Sequence, residues 1–404
     1  MRGMVIIGGG QAGYSASHKL RSLGYKGTIH IICAENSFPY QRPPLSKRFL
    51  LGKIPKERLF FRSENYYKEN DIKLKLGVKV TSIDRYLNKV YCSDDTELFY
   101  DKLFLVTGST PNFFPKHLGG KLLKNYYIRS MVDIDMISNE FKPGKRVLIV
   151  GGGYIGLEVA AVAREKNLDV TLVEAENRIL KRVACYQTGN FFKNLHEKNG
   201  VKIIEGKSIA RLTGKNDILD GAILDTGEEI RADFSIIGIG AQPCISLAKA
   251  CGLAICNGIE VDSLCQTSDN NILAAGDCAN FPYRSGRLRL ESVGNAIDQG
   301  ETAALTAMGY SEKYNAKPWF WSDQYDTKLQ IAGLSSGFDH VVERKEKKAS
   351  SMWYFQNKEL IAVDAINDAK AYMVAKRLLE SNLSPKAENI LDLNQDLKSL
   401  LMNN

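Results

Sequence analysis

The sequence predicts an α/β protein: two Rossmann-like β–α–β units, followed by a smaller α+β domain at the C-terminal end. Three observations carry this expectation. Residues 147–158 read as a buried strand, a tight glycine turn and the first turn of a helix, with glycines at Gly151, Gly153 and Gly156. A second copy opens the chain, with Gly8, Gly10 and Gly13 in the same register. After Pro318 the composition shifts to dense aromatics and short alternating segments separated by turns.

Each glycine has a separate job in such a turn. The first makes the turn, the second lets a pyrophosphate approach the backbone, and the third lets helix and strand pack closely. The helix that follows, expected over 11–23 in the first unit and 154–166 in the second, points its amide end at the phosphates. A lone glycine motif is weak, and its context strengthens it. In the first unit an apolar strand over 28–34 ends at Glu35, 27 residues after Gly8. In the second, a strand over 169–173 ends at Glu174, 23 residues after Gly151. An acid at that place takes ribose hydroxyls. It repels a 2′-phosphate, which favours NADH over NADPH, although Arg178, Lys181 and Arg182 follow closely. Two bound dinucleotides imply electrons passed between them.

Bulk properties narrow the class. A chain of 404 residues exceeds one growing core and supports two or three domains. With 44% hydrophobic and 25% charged residues it has the composition of a soluble globular protein. No run approaches a membrane span, and the start at Met1 runs straight into a strand, so neither a signal peptide nor a membrane is expected and the cytoplasm is the default. The formal net charge is +8. Lysine and arginine are spread along the chain without a nucleic-acid motif, which points to an acidic protein partner rather than nucleic acid. The eight cysteines form no Cys-x-x-Cys pair, and the five histidines show no familiar metal-ligand spacing, so no metal is expected.

Along the chain, residues 39–47 carry three prolines, expected to fix a stiff, extended path. The path reads either as a plain connection or as an arm placing Arg42 and Lys47 against a cofactor. Residues 42–79 hold eleven basic and four acidic residues, either a solvated face or a docking face. Strands are expected over 73–76 and 79–83, and a strand from Phe104 ends in a turn near Pro111. Residues 221–230 read as a hairpin and 234–240 as a buried strand ending in glycines. The chain then returns to the first lobe, where Asp277 is a helix N-cap or a ligand for a polyol, and 291–308 reads as a helix. The expected domains are 1–109 and 242–317 for the split first lobe, 110–241 for the second, and 318–404 for the last. Within that last domain an amphipathic helix near 369–379 precedes a polar tail. Trp319, Trp321 and Trp353 all fall there, as core filling or beneath a flat cofactor ring.

Two dinucleotide sites make sense if FAD is held permanently and NAD(P)H transiently. The reduced flavin must then unload. The arm 39–47 contains no cysteine, so thiol exchange is not expected there. A one-electron carrier remains, and a small acidic iron–sulfur protein suits the positive charge.

At this point the residues carry a resemblance. The chain resembles the flavoprotein ferredoxin reductases of bacterial cytochrome P450 and ring-hydroxylating dioxygenase systems, the putidaredoxin reductase-like and rhodocoxin reductase-like proteins. The likeness runs end to end. It includes Pro39-Tyr-Gln-Arg-Pro-Pro-Leu-Ser-Lys47, Phe60-Phe-Arg62, Thr107-Gly108, the Gly151 unit with Glu158, Gly238-Ile-Gly240, Gly276-Asp277, Arg289-Leu-Glu-Ser292 and Pro318-Trp-Phe-Trp-Ser-Asp-Gln324.

The resemblance implies a glutathione reductase-like FAD/NAD(P) fold and a set of roles. Gly8, Gly10, Gln11, Ala12, Gly13 and Glu35 would hold the adenosine half of non-covalent FAD, with Val80 taking the adenine through its backbone. Arg42 and Lys47 would lie along the isoalloxazine, Gly276 and Asp277 at the ribityl chain, and Trp321 beside the ring. Thr107, Gly108, Arg129 and Val293 complete the FAD set. Gly151, Gly153, Tyr154, Ile155, Gly156, Glu174, Arg182, Gly238, Ile239 and Gly240 would hold NADH. Glu158 would lie near the nicotinamide and pair with Lys47, and Glu291 would face the nicotinamide side. Lys47, Glu158 and Glu291 would position and tune the flavin without acid–base work. Val293 departs from several relatives, which carry tryptophan there. The implied activity is NADH to FAD to a 2Fe-2S ferredoxin, in a monomer or weak homodimer. The alternatives are a rubredoxin reductase and an NADH-responsive scaffold like apoptosis-inducing factor.

Overall fold

Uninterrupted apolar runs make strands that can be buried on both faces, the mark of parallel sheets covered by helices. The computed structural model of the protein, which describes residues 2–401, contains two such sheets. They fall in separate compact units. One unit comprises Met1–Arg42, Pro55–Thr110 and Ala241–Pro318; the other comprises Pro43–Ile54, Pro111–Gly240 and Trp319–Asn404.

In the first unit the parallel sheet runs Ile272–Ala274, Lys102–Leu105, Met4–Ile7, Ile29–Cys33, Ile72–Leu76. The central strand sets the register, with Met4 opposite both Ile29 and Lys102. Its side chains alternate between two cores, as the pleat requires. Ile6, Ile31 and Phe104 pack with Ala16 and Leu20 of the helix Gln11–Ser22 and with Ala303 of the helix Val293–Ala307. Val5, Ile7, Ile32 and Leu105 pack on the other side with Tyr100 and Phe281. The two strands expected over 73–83 part company. Val80–Asp84 leaves the parallel sheet and opens a three-stranded antiparallel one with Lys89–Cys92 and Glu97–Phe99.

The second unit repeats the plan with Val201–Glu205, Asp169–Glu174, Arg146–Val150, Phe234–Ile237 and Asn125–Tyr126, again parallel. The helix Tyr154–Glu165 follows the central strand, and residues 157–163 along it are buried. The same unit holds a five-stranded antiparallel sheet, ordered Trp319–Gln324, Thr327–Gly333, Glu359–Ile366, Ser350–Gln356, His340–Lys345. The helix Ala369–Glu380 packs on it through Ala371, Val374 and Leu378, against Trp353 and Val363. Among the described residues no helix is long and apolar enough to cross a membrane.

Two expectations need correction. The stretch expected to be a polar tail is folded: Ile390, Leu397 and Leu400 are buried in the core under Trp353. Arg344, itself buried, donates from Nη1 to the carbonyls of Ile390 (2.8 Å) and Asp392 (2.7 Å) and pins that segment. The spacing of three apolar residues among many polar ones concealed this. The last three residues of the tail, 402–404, lie outside the described residues. The proline arm is likewise not extended throughout. Tyr40 bridges Phe60, but Pro43–Ser46 form a 3₁₀ turn. Proline's fixed φ suits the first turn of a helix as well as an extended strand, and its missing N–H costs nothing there.

Candidate functional site

The two glycine turns have nearly the same geometry. Gly8 has φ +124°, and a Cβ on it would stand 2.2 Å from the Val106 carbonyl oxygen. A Cβ on Gly13 would stand 2.1 Å from the Gly8 oxygen. Only glycine fits at either position. A Cβ on Gly10 meets nothing within 4 Å, and Gly10 caps its helix without any side-chain bond. The middle glycine therefore opens onto free space, with the amide end of the helix, beginning at Gln11 and Ala12, turned to it. The second turn matches point for point. Gly151 has φ +108° and sits under the Gly238 oxygen, Gly156 sits under the Gly151 oxygen, and Gly153 is open. Both turns fit a pyrophosphate.

The carboxylates at the two strand ends are held differently. Glu35 accepts from Arg42 Nη2 at 2.6 Å and from Tyr40 Oη at 2.6 Å. Glu174 accepts from two backbone amides, those of Gly152 (2.6 Å) and Glu176 (2.8 Å). Glu174 also lines a cavity of about 310 Å³ with Gly151, Gly153, Arg182, Lys207, Gly238 and Ile239. Of the cations that follow Glu174, Arg178 is tied to the Ala184 carbonyl at 2.6 Å and Lys181 to Glu176 at 3.0 Å, whereas Arg182 faces the cavity. Asn112 closes one edge, its side-chain amide on the Ile239 carbonyl and its backbone N–H on that of Gly240.

The remaining predicted residues take up definite places. In the first unit Thr107 donates to the Cys244 carbonyl at 2.7 Å, and the Gly108 carbonyl accepts from the Cys244 N–H. Asp277 lies inside the short turn Gly276–Cys278, whose cap is Ala275, so it is not a helix N-cap. Its Oδ2 accepts from Ser109 at 2.9 Å, and the Gly276 N–H donates to the buried Gln299 at 2.8 Å. Val80 is half-buried at the start of its strand, Glu291 is exposed and paired with Arg289, and Val293 begins a helix. In the second unit the Arg129 N–H donates to Asp133 at the start of the helix Met131–Ser138, and Ile155 is half exposed. Tyr154 is half-buried with its ring 4.8 Å from that of Phe320, and Trp321 stacks on Trp319 at 5.5 Å. Arg42 and Lys47, assigned together to one ring, belong to different units.

Glu158 is a buried acid of the second unit with three side-chain partners. It is 2% exposed. Its Oε2 meets Lys47 Nζ at 2.8 Å and accepts from Ser46 Oγ at 2.5 Å, while Oε1 accepts from Ser322 Oγ at 2.7 Å. An isolated buried carboxylate is costly, and one with a cation and two hydroxyl donors is not. The sequence reading found Lys47 and Glu158 but missed Ser46 and Ser322. Both stand inside motifs already singled out, and only the fold brings them to the carboxylate.

All eight cysteines are free thiols. Two of them, Cys33 and Cys278, adjoin residues of the first unit's predicted site. Cys33 packs beneath the first turn, where a Cβ on Gly9 would come within 2.4 Å of its sulfur, and Cys278 adjoins Asp277. Both are buried. Burial, then Glu35, pushes the Cys33 thiol up to about 12, and burial also raises Cys278. Neither is a ready nucleophile. Among the described residues no group of three or more His, Cys, Asp or Glu side chains gathers as a metal site.

Residues 2–300 match the family model described as pyridine nucleotide-disulphide oxidoreductase, and residues 319–401 match the reductase C-terminal model. The chain belongs to the pyridine nucleotide-disulphide oxidoreductase family. It is an oxidoreductase whose cofactors are FAD and NAD(P)H. It is 38% identical to rhodocoxin reductase of Rhodococcus erythropolis over 98% of this chain and 93% of that one. It is 35% identical to putidaredoxin reductase CamA of Pseudomonas putida over 98% and 96%. Its fold matches the solved covalent putidaredoxin reductase–putidaredoxin complex with a TM-score of 0.96 at 34% identity, covering 99% of this chain and 98% of that one.

Proposed function

We propose that this oxidoreductase takes electrons from NADH onto bound FAD and delivers them singly to an acidic 2Fe-2S ferredoxin that supplies a cytochrome P450 or a ring-hydroxylating dioxygenase. The observation that carries the reading is the pair of matched glycine turns, one in each compact unit, each open at its middle glycine and each followed by a strand-end carboxylate. The end-to-end likeness to reductases of such carriers supports the choice of acceptor.

When bound, FAD supplies the conversion of a two-electron donation into single-electron steps. The chain's own residues bind, orient and tune. Gly8, Gly10, Gly13 and Asp277 hold FAD in the first unit. Glu35 is steadied by Arg42 and Tyr40 to meet the adenosine ribose. Gly151, Gly153, Gly156 and Glu174 hold the nicotinamide dinucleotide. Glu174, fixed by two amides and facing the cavity, accepts ribose hydroxyls and repels a 2′-phosphate, which favours NADH. Lys47 and Glu158 act as a buried positioning pair. Glu291, exposed and paired with Arg289, is a secondary member of the set. The two thiols near the first turn, buried and held protonated, take no electrons. A net charge of +8 speeds encounter with an acidic carrier. The working compartment is the cytoplasm, where the nicotinamide donor is available.

The test is steady-state reduction of purified ferredoxins, with rubredoxin as a competing carrier, by the FAD-loaded protein and either NADH or NADPH. Rapid NADH-dependent reduction of a 2Fe-2S ferredoxin is expected. Faster reduction of rubredoxin, or no reduction of any carrier together with NADH-dependent dimerisation, overturns the reading.

A further inference from the structure

Glu158 ends a line of buried side chains that runs through the second unit. Ser322 Oγ stands 2.7 Å from Glu158 Oε1, and Gln324 Nε2 stands 3.1 Å from Ser322 Oγ. His196 Nε2 lies 2.8 Å from Gln324 Oε1, and Tyr325 Oη lies 3.3 Å from His196 Nδ1. Ser322, Gln324 and His196 are each 0% exposed. Water therefore cannot supply a missing partner, and the donors and acceptors have to match among themselves.

Only one arrangement of hydrogens satisfies the whole line. The ion pair with Lys47 keeps Glu158 a carboxylate, which can only accept. Ser322 must spend its single hydroxyl hydrogen on Glu158, so toward Gln324 its oxygen can only accept. The NH₂ group of Gln324 thus faces Ser322, and its carbonyl oxygen faces His196. His196 Nε2 must then carry a hydrogen. Burial holds the pKa of His196 down to about 4, outweighing the bond to Gln324, so the ring is neutral and Nδ1 accepts from Tyr325. Every donor in the line points at Glu158.

We propose that Tyr325, His196, Gln324 and Ser322 form a one-way hydrogen-bond chain that keeps Glu158 oriented on Lys47, which makes them positioning residues for the redox step. The proposal rests on the role given above to Lys47 and Glu158. Its structural basis is the directionality itself: a carboxylate fed by aligned dipoles cannot rotate away from its cation without leaving the hydroxyl hydrogen of buried Ser322 without its acceptor and Lys47 without its carboxylate. Two of the four residues come from the Trp319–Gln324 strand, one follows it at position 325, and His196 comes from the helix Tyr186–Lys198.

The experiment is ¹⁵N-histidine NMR of the full-length, FAD-loaded protein, with the His196 signal assigned by its loss in His196→Gln, alongside stopped-flow reduction of the flavin by NADH. In the wild type His196 is expected as the neutral Nε2–H tautomer throughout pH 5–8. In Ser322→Ala the Gln324 amide loses its constraint. Both tautomers should then appear, and flavin reduction should slow about tenfold, the effect of one lost charge-assisted bond. NADH affinity should stay within about twofold. Ser322→Thr, which restores the hydroxyl, should recover both readouts. An Nδ1–H tautomer in the wild type, titration near 6.5, or a Ser322→Ala variant that loses NADH affinity rather than reduction rate overturns the proposal. Wild-type protein that shows the expected tautomer but no NADH-dependent flavin reduction overturns the functional reading, and with it the positioning role, while the chain's geometry stands.

Discussion

The two glycine turns are close to superimposable in design, yet their surroundings divide. In the first, the strand-end acid Glu35 is gripped by side chains, the Arg42 guanidinium and the Tyr40 hydroxyl. In the second, Glu174 is held by backbone amides and faces a cavity of about 310 Å³. The motif sets where a dinucleotide's phosphates go. What holds the acid differs: side chains, one of them a cation, at Glu35, and backbone amides at Glu174. The charge of Glu35 is compensated in place, and that of Glu174 is left facing the cavity.

The sharpest way to break that comparison is to fill one turn at a time. Gly10 and Gly153 have negative φ, and a Cβ at either would meet nothing within 4 Å, so valine should fold at either place and block only the phosphates. Gly10→Val should purify colourless and refuse FAD on reconstitution. Gly153→Val should remain yellow while its KM for NADH rises on the order of 100-fold, about 3 kcal/mol of binding. Absorbance at purification and NADH titration read the two outcomes. If either variant loses both ligands, the turns do not act separately.

The next effect concerns a buried acid elsewhere in the second unit. Asp364 is a fully buried acid that forms no ion pair among the described residues. Its Oδ2 accepts from Thr188 at 2.7 Å and from Tyr354, whose hydroxyl also receives the Cys185 N–H at the start of the helix Tyr186–Lys198. Burial raises its pKa to about 6, against the lowering effect of those two hydroxyls. Because the folded value lies above the unfolded one, the contribution of Asp364 to stability is greatest below about pH 4, falls as pH rises toward 6, and is level beyond. The span corresponds to about 3 kcal/mol. Asp364→Asn should abolish that slope and be more stable than wild type by up to about that amount at pH 7.5, with no difference near pH 4. Urea unfolding at the two pH values checks the sign. A less stable variant at pH 7.5 means the ionised acid has a partner that offsets its burial.

Much of this architecture can be read from sequence because parallel strands are covered on both faces and announce themselves as apolar runs. The strands Met4–Ile7 and Arg146–Val150 and their glycine turns fall where spacing puts them. The strand-end acids follow from the length of one β–α–β unit. What surrounds Glu158 does not. Ser46 and Ser322 lie 112 and 164 residues away along the chain, and no local pattern links them. The helix Tyr186–Lys198 also escapes sequence reading, since its buried face carries Thr188 and His196, polar residues that break the apolar period. The tail misleads for a related reason: it is held largely by Arg344, 46 residues upstream of Ile390.

A smaller effect sharpens the second site. Glu174→Ala removes the carboxylate from the cavity while leaving Arg182 and Lys207 on its wall. The KM for NADH should rise several-fold, the equivalent of about 1 kcal/mol, and that for NADPH should stay level or fall. Steady-state kinetics with the two donors decide it. Unchanged discrimination would show that Glu174 does not meet the ribose.

The smallest effect expected is none at all, at the thiols of the first unit. Cys33 lies under the glycine turn, and Cys278 beside Asp277, close enough to the residues proposed to hold FAD that a sulfur relay is the natural rival to direct transfer. The chemistry opposes it. With a pKa near 12, about one Cys33 in ten thousand is thiolate at pH 8, and a relay needs the thiolate. Burial denies Cys278 the same ionisation. Treating the FAD-loaded enzyme with iodoacetamide at pH 8 should therefore modify the exposed Cys256 and leave NADH-dependent carrier reduction unchanged. Cys33→Ser should likewise keep its rate, with any cost confined to stability, because the site asks only for a small side chain beneath the turn. Loss of carrier reduction with flavin reduction intact would put a cysteine between flavin and carrier, and the first turn would then serve a different circuit from the one its glycines and acid describe.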